Sequence, residues 1–279
     1  MNENAPLVSV LMTAYNREKY ISAAMESVLA SSYKNFELII VDDRSTDATL
    51  EIARRYEASD KRVKVYRNDT NLGDYPNRNR AAGLAAGKYL KYVDADDYIY
   101  PWGLDLLISM MEAFPQAGWG LCSLEQDVEK PFPFELTPKE AYSYHYTGPG
   151  LFHKAPLSSI IKREVFEEAG GFSAIRMAGD FEMWHRLAQR YKVVLMPGGI
   201  VWYREHGEQE INDFHKYARV YEEILAKYLQ DKDCPLDKET VAKVFARRKK
   251  TLKRSLSTNL LRLRFERARE IGEQLKLYK

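Results

Sequence analysis

The sequence is short of cysteine, of long apolar runs and of the glycine motifs that cradle phosphates. Each shortage removes a class of protein. Two cysteines in 279 residues, Cys122 and Cys234, supply neither a disulfide framework nor metal-ligand spacing. A reduced, cytoplasmic setting is therefore expected. No run approaches the roughly 18–20 apolar residues needed to span a bilayer. The first ten residues, MNENAPLVSV, lack a basic stretch followed by an apolar one, so no secretory signal is expected there. No GxGxxG follows the first apolar run, which counts against a dinucleotide-binding fold. No GxxxxGK[ST] occurs, which counts against a P-loop NTPase. Internal repeats and low-complexity tracts are also missing.

Net charge is low, at +2, but it is unevenly spread. Residues 247–269 hold ten basic side chains against the single acid Glu266, a local charge of +9 that leaves −7 on the remainder. An acidic body argues against nucleic acid as its partner. The basic segment has two readings. Its leucines pack on the body while Arg and Lys stay solvated, or it contacts anionic lipid on the inner face of the plasma membrane.

What is present is a regular alternation. LVSVLM (7–12), FELIIV (36–41), a short run at 63–66 and YLKYV (89–93) read as buried strands. Between them, 19–30, 47–56 and 77–86 have helical spacing, with Ser45 and Thr46 as candidate N-caps for the second helix. The pattern predicts an α/β fold with a mostly parallel central sheet flanked by helices. Further along, 102–114 reads as a helix and 118–124 as a strand. The stretch 129–156, rich in Pro and aromatics and carrying His145 and His153, reads either as a long lid or binding loop or as a loop packed on the core by its aromatics. Strands are expected at 158–162, 193–196 and 200–203, and a helix from Asp180, which itself could be an N-cap. From about Asn212 the pattern turns helical, through Phe214, Tyr217, Ala218, Tyr221 and Leu225, then Val241 to Leu263.

Ligands of such sheets bind at the carboxyl ends of the strands. Three polar clusters fall there: Thr13 to Arg17, Asp42-Asp43, and Asp94-Ala95-Asp96-Asp97. Carboxylates packed this closely repel one another. A bound cation relieves them, and Mg²⁺ typically shares one or two carboxylates with water and substrate phosphates.

Five blocks, VSVLMTAYNREKYI, FELIIVDDRSTDAT, NRNRAAGLAAGKYLKYVDADD with the preceding NLG, EVFEEAGGF, and GDFEMWHRLA with WYREH, occur in one order over residues 7–206. Together they resemble the inverting family 2 glycosyltransferases of the GT-A fold. The resemblance implies a GT-A catalytic domain at 1–206, with a nucleotide-binding half (1–100) and an acceptor half (101–206), and a C-terminal helical extension at 207–279. It implies transfer of a sugar from a nucleoside-diphosphate donor, a UDP- or dTDP-sugar, to a hydroxyl of a glycan or lipid-linked acceptor. Thr13, Ala14, Tyr15 and Arg17 would surround the nucleotide, and Asp43 would accept from a pyrimidine N–H. Arg78, Asp94 and Ala95 would contact the donor. Asp94, Asp96 and His206 would hold a divalent metal, Mg²⁺ or Mn²⁺, and Asp180 would be the catalytic base. Two positions depart from the family's habit: Ala81 stands where Gly is frequent, and Gly179 precedes Asp180 where Glu is commoner. A binding-only relative of the same fold is the alternative. A nucleotidyltransferase would want a Gly-rich basic loop after the first strand, which TAYNR is not.

Overall fold

A computed structural model of the chain describes residues 6–207 and 217–278. Phe214, expected on the first tail helix, lies outside the described residues.

Four parallel strands form the half of the sheet nearest the N-terminus. β1 (Val8–Ala14) sits between β2 (Phe36–Asp42) and β4 (Tyr89–Tyr92), and β3 (Val63–Arg67) lies outside β2. Their residues are apolar almost continuously because both faces are covered. Alternate side chains point opposite ways. Val8, Val10 and Met12 enter one core with helices α1 (Ile21–Leu29) and α4 (Gly103–Ala113). Leu11, Ile39, Val41 and Tyr92 enter the other, against α3 (Asp74–Gly83), α5 (Pro138–Tyr146) and α7 (Gly179–Arg190). The register pairs Ala14 with Asp42 and Leu11 with Tyr92. All three strands therefore end on one rim, and the loops after them converge.

The sheet continues through β8 (Ser159–Lys162), β6 (Trp119–Leu124), β9 (Val193–Pro197) and β7 (Phe134–Leu136). β8 and β7 run against their neighbours, so six of the eight strands share one direction. Separately, β5 (Tyr98–Ile99) and β10 (Val201–Trp202) pair antiparallel, which brings the chain after β10 onto the turn after β4. α2 (Thr49–Ser59) and α6 (Arg163–Glu168) complete the helices of this part. Trp119 and Trp184 stack at 5.3 Å in the larger core, an aromatic pair worth about 0.5–1.5 kcal/mol beyond its buried area.

Several expectations need correction. Ser45 and Thr46 do not cap α2. Ser45 Oγ accepts from Asn16 N–H at 3.0 Å, and Thr46 N–H donates to Asn16 Oδ1 at 2.9 Å. Both are spent on joining the first two rim loops, and α2 starts only at Thr49. α3 begins at Asp74 instead of Asn77, because Gly73 at φ +84° turns the chain into the helix early. The stretch 129–156 is not one loop. It contains β7 on the sheet edge and α5, opened by a capping box between Thr137 and Glu140. That box was readable as T-x-x-E, but the density of aromatics hid it. Those aromatics, Tyr142, Tyr146 and Phe152, are buried core.

Among the described residues three α-helices follow: α8 (Ala218–Gln230), α9 (Lys238–Leu261) and α10 (Phe265–Lys276). Ile224, Leu225, Tyr228 and Leu229 of α8 belong to the same core as α7. Tyr228 Oη donates to Glu182 Oε1 on α7, and Arg186 Nη2 donates to the other oxygen at 2.8 Å. Glu182 is 4% exposed. We expect Tyr228→Phe to cost about 1–2 kcal/mol in urea unfolding, since it strips a donor from a buried carboxylate. An unchanged midpoint would show that α8 is held by apolar packing alone.

Candidate active site

The three rim loops line one cavity of about 1020 Å³. Its walls include Thr13, Ala14, Tyr15, Arg17, Asp43, Arg78, Asp94, Ala95 and Asp96, and it also reaches Asp180. The structure thus brings together every residue named from the sequence except His206. That residue stands just behind the wall, with its Nε2 3.1 Å from Asp96 Oδ2. Thr13 and Ala14 are the last residues of β1, and Tyr15 is 47% exposed at the cavity.

Asp43 is almost fully buried and already engaged. Its Oδ1 accepts from Asn68 Nδ2 at 2.6 Å and Leu72 N–H at 2.8 Å, and its Oδ2 accepts from Gly73 N–H at 2.9 Å. Its first role here is to hold the 71–73 turn at the rim. A carboxylate offers about four acceptor positions, so a base N–H would be a further bond on Oδ2.

The acidic turn after β4 survives because arginines stand among its charges. Arg78, at the cavity wall and 7% exposed, donates to Asp94 Oδ1 at 2.6 Å and to Asp74 Oδ1 at 2.7 Å. Arg17 Nε donates to Asp96 Oδ2 at 2.8 Å. Asp97 turns inward, where its Oδ1 accepts from Arg204 N–H at 2.9 Å, and Arg204 Nε reaches the Asp96 carbonyl at 2.8 Å. Asp97 therefore ties the chain after β10 to the acidic turn. Burial, with the Asp94 and Asp96 charges adding, pushes its carboxyl up to about 8, against the Arg204 N–H. His206 stacks on Tyr20 at 4.8 Å, which fixes its ring beside Asp96.

Asp180 lies in the first turn of α7 and is not its N-cap, a position held by Ala178. Both of its hydrogen bonds fall on one oxygen: Tyr75 Oη donates to Oδ1 at 3.0 Å, and Phe181 N–H donates to Oδ1 at 2.7 Å. Oδ2 carries neither. Burial outweighs these bonds and the pull of Arg78, and raises the carboxyl to about 6. Gly179 is what admits Tyr75. A Cβ at 179 would lie 2.7 Å from the Tyr75 ring and 2.7 Å from the Ser173 carbonyl. The glycine before Asp180 thus has a packing reason. Ala81, the other departure, is fully buried in the core under α3.

Sequence reasoning missed Asp74, Tyr75, Phe181 and Tyr221 at this cavity. Tyr75 gave no signal, because its partner Asp180 is 105 residues away. Tyr221 was named only as part of a helical stripe. In the fold its hydroxyl donates to the Met177 carbonyl at 2.6 Å, and Met177 sits at φ +62°. His153 stacks on Phe181 at 4.8 Å and lies 6.3 Å from the Tyr221 ring, which itself meets Phe181 at 4.7 Å. The end of 129–156 reaches the cavity, where Phe152, His153, Ala155 and Pro156 line it.

Among the described residues no three His, Cys, Asp or Glu side chains form a cluster that could hold a metal ion. The donors nevertheless suit one class of site. Asp96 and His206 offer two protein ligands side by side, and Mg²⁺ ordinarily takes one or two carboxylates and completes its shell with water and phosphate. Such an ion fits if Arg17 releases Asp96.

Asp180 yields a stability prediction. Its folded pKa of about 6 exceeds the unfolded value of 3.8. The folded state holds the proton more tightly between these values, so stability falls as pH rises through them and the full penalty stands above about 6. Asp180→Asn keeps an acceptor for Tyr75 and Phe181 and removes the charge. It should stabilise the protein by about 3 kcal/mol at neutral pH and give no gain below the unfolded pKa, measured by thermal unfolding at both pH values. Gly179→Ala should act the other way, costing about 1–3 kcal/mol by overpacking.

Comparisons with known proteins bear on the family and the fold. Residues 9–170 match the model for Glycosyl transferase family 2. A relative from Escherichia coli, the UDP-Glc:alpha-D-GlcNAc-diphosphoundecaprenol beta-1,3-glucosyltransferase WfgD, is 40% identical over 105 residues, 38% of this chain and 41% of that protein. For the first relatives matched, the shared stretch spans only 34%, 50% and 40% of their length. Among solved structures, S. aureus TarS 1-349 with UDP-GlcNAc superposes with a TM-score of 0.65 at 21% identity, over 85% of this chain and 70% of that one. The mannosyltransferase PcManGT from Pyrobaculum calidifontis, in complex with GDP-Man and Mn²⁺, gives 0.66 at 17% identity, over 99% and 86%. These likenesses establish the GT-A type of fold, a mainly parallel sheet flanked by helices with further helices at the C-terminus. With its rim of aspartates and the matched stretch covering more than half of its length, the chain belongs to glycosyl transferase family 2.

Proposed function

We propose that this protein is a metal-dependent, inverting glycosyltransferase that uses Asp180 as its base. The observation that carries the proposal is the raised carboxyl of Asp180 in the same cavity as the acidic turn after β4. An ordinary aspartate, near 3.9, is a poor match for a sugar hydroxyl. One near 6 takes up a proton more readily while staying ionised at neutral pH.

In this reading residues 1–100 hold the donor, 101–206 the acceptor, and the helices after 207 close the acceptor side through Tyr221. Tyr15 would lie on the base, and Asp43, already fixing the rim turn, would take one more N–H from a pyrimidine. UDP- or dTDP-sugars are the donors this favours. Asp94 and Asp96, with His206, would hold a Mg²⁺ or Mn²⁺ ion, which would supply charge neutralisation at the diphosphate. Arg17 and Arg78 are poised to exchange Asp96 and Asp94 for phosphate oxygens, which accept guanidinium donors equally well. Asp180 Oδ2 would take the acceptor proton while Tyr75 and the Phe181 N–H keep Oδ1 in place. The acceptor hydroxyl then attacks the anomeric carbon, that carbon's bond to the diphosphate oxygen breaks, and the configuration inverts. A glycan or a lipid-linked sugar would be the acceptor, the latter in keeping with the WfgD name. A fold-mate that only binds would show donor affinity without transfer or hydrolysis.

Asp180→Asn is expected to lower kcat by about 10²–10⁴-fold with donor affinity nearly unchanged. Wild-type kcat should fall as pH drops through about 6, and a profile flat across that range would remove Asp180 from the role. Asp96→Ala should abolish the metal dependence of donor binding in calorimetry. Metal-dependent binding that survives the change would place the ion elsewhere.

A further inference from the structure

We propose that the end of the α9–α10 hairpin, residues 260–265, is a tip that inserts into the surface of an anionic membrane. Leu260, Leu261, Leu263 and Phe265 are 46, 84, 72 and 63% exposed. Four large apolar side chains exposed within six residues are denser than the scattered singles common on soluble proteins.

The hairpin explains why nothing in the described body covers them. α10 doubles back along α9. Leu252 of α9 shares a cluster with Ile271, Ala226 and Tyr278, and the Tyr278 ring meets Phe245 at 5.1 Å. That cluster is the anchor. Leu252 is the last buried apolar side chain of α9, and the next along the chain is Ala268. At 1.5 Å per residue, Leu261 stands about 13 Å further along the helix. The turn itself is built on Leu263 at φ +56°, where Leu263 N–H donates to the Leu260 carbonyl at 3.0 Å and Arg264 N–H to that of Asn259 at 2.9 Å. Left-handed backbone at a helix end ordinarily carries Gly or Asn. A leucine there is unfavourable for folding and gains no burial in return.

Charge identifies the occupant. Lys253, Arg254, Arg262 and Arg264 make no ion pair with an acid among the described residues, and Glu266 is the sole acid between 247 and 269. Leucines and a phenylalanine ringed by unpaired guanidinium groups match a bilayer whose surface is phosphate and whose interior is acyl chain. Two such tips face to face would oppose their own arginines. The inference rests on the tip alone and stands apart from the transfer chemistry, although it would bring the cavity to a lipid-linked acceptor.

The test is co-sedimentation of the full chain at low salt with phosphatidylcholine vesicles, with and without phosphatidylglycerol. Binding is expected only with the anionic lipid and should weaken with salt. The combined change Leu261→Ser, Leu263→Ser and Phe265→Ser should reduce partitioning by about tenfold or more, with circular dichroism and donor binding unchanged. Leu261→Asp alone, at the most exposed site, should weaken binding in the same direction. Arg262→Glu with Arg264→Glu should erase the preference for anionic vesicles. Three results would overturn the proposal: no sedimentation with anionic vesicles, binding indifferent to the serine changes, or tip-dependent self-association in ultracentrifugation without lipid.

Discussion

Six aspartates, Asp43, Asp74, Asp94, Asp96, Asp97 and Asp180, face one cavity, and the fold must keep their mutual repulsion from opening it. It does so with a small number of cations placed between them. Arg78 bridges Asp74 and Asp94, and Arg17 holds Asp96. Backbone N–H groups take the remaining load, from Leu72 and Gly73 to Asp43 and from Arg204 to Asp97. Each bond also fixes a segment. The 71–73 turn, the start of α3 and the chain after β10 all depend on a carboxylate for their position. Charge compensation and loop placement are therefore one problem with one solution, and a diphosphate donor would enter by exchanging with the carboxylates for the same arginines.

Asp180 is organised differently. It makes no ion pair with a cation among the described residues, and burial raises its carboxyl against the pull of Arg78. Tyr75 and the α7 backbone hold one oxygen, so orientation is separated from basicity. The space for Tyr75 comes from Gly179. Beyond it, Tyr221 bonds Met177 and stacks with His153, which makes α8 part of the cavity wall near Asp180. The tail is joined to the body through the core and through the buried Glu182.

How much of this could be read from the chain depends on sequence distance. The buried strands and the rim clusters were legible because their signals are local: an unbroken apolar run, then polar residues at its end. The cap of α2 was misread because Ser45 and Thr46 have a tertiary competitor, Asn16, 29 and 30 residues earlier. α5 was lost in a stretch that looked like a loop, since its aromatic residues face a core whose other wall is formed by α7. Tyr75 was invisible for the same reason. Its one informative bond is made across the cavity.

The sequence by itself determined the α/β alternation, the family and the three acidic or polar clusters, because strand periodicity and contiguous motifs survive without knowledge of neighbours. Only the tertiary structure decided which carboxylates are paired with a cation and which are buried without one. Pairing is set by distances between loops that the sheet register brings together, and burial is a property of everything packed around a residue. That is why Asp94, Asp96, Asp97 and Asp180, alike in the sequence, hold four different partners and places: an arginine bridge, an arginine beside a histidine, a backbone N–H, and a tyrosine in a buried pocket.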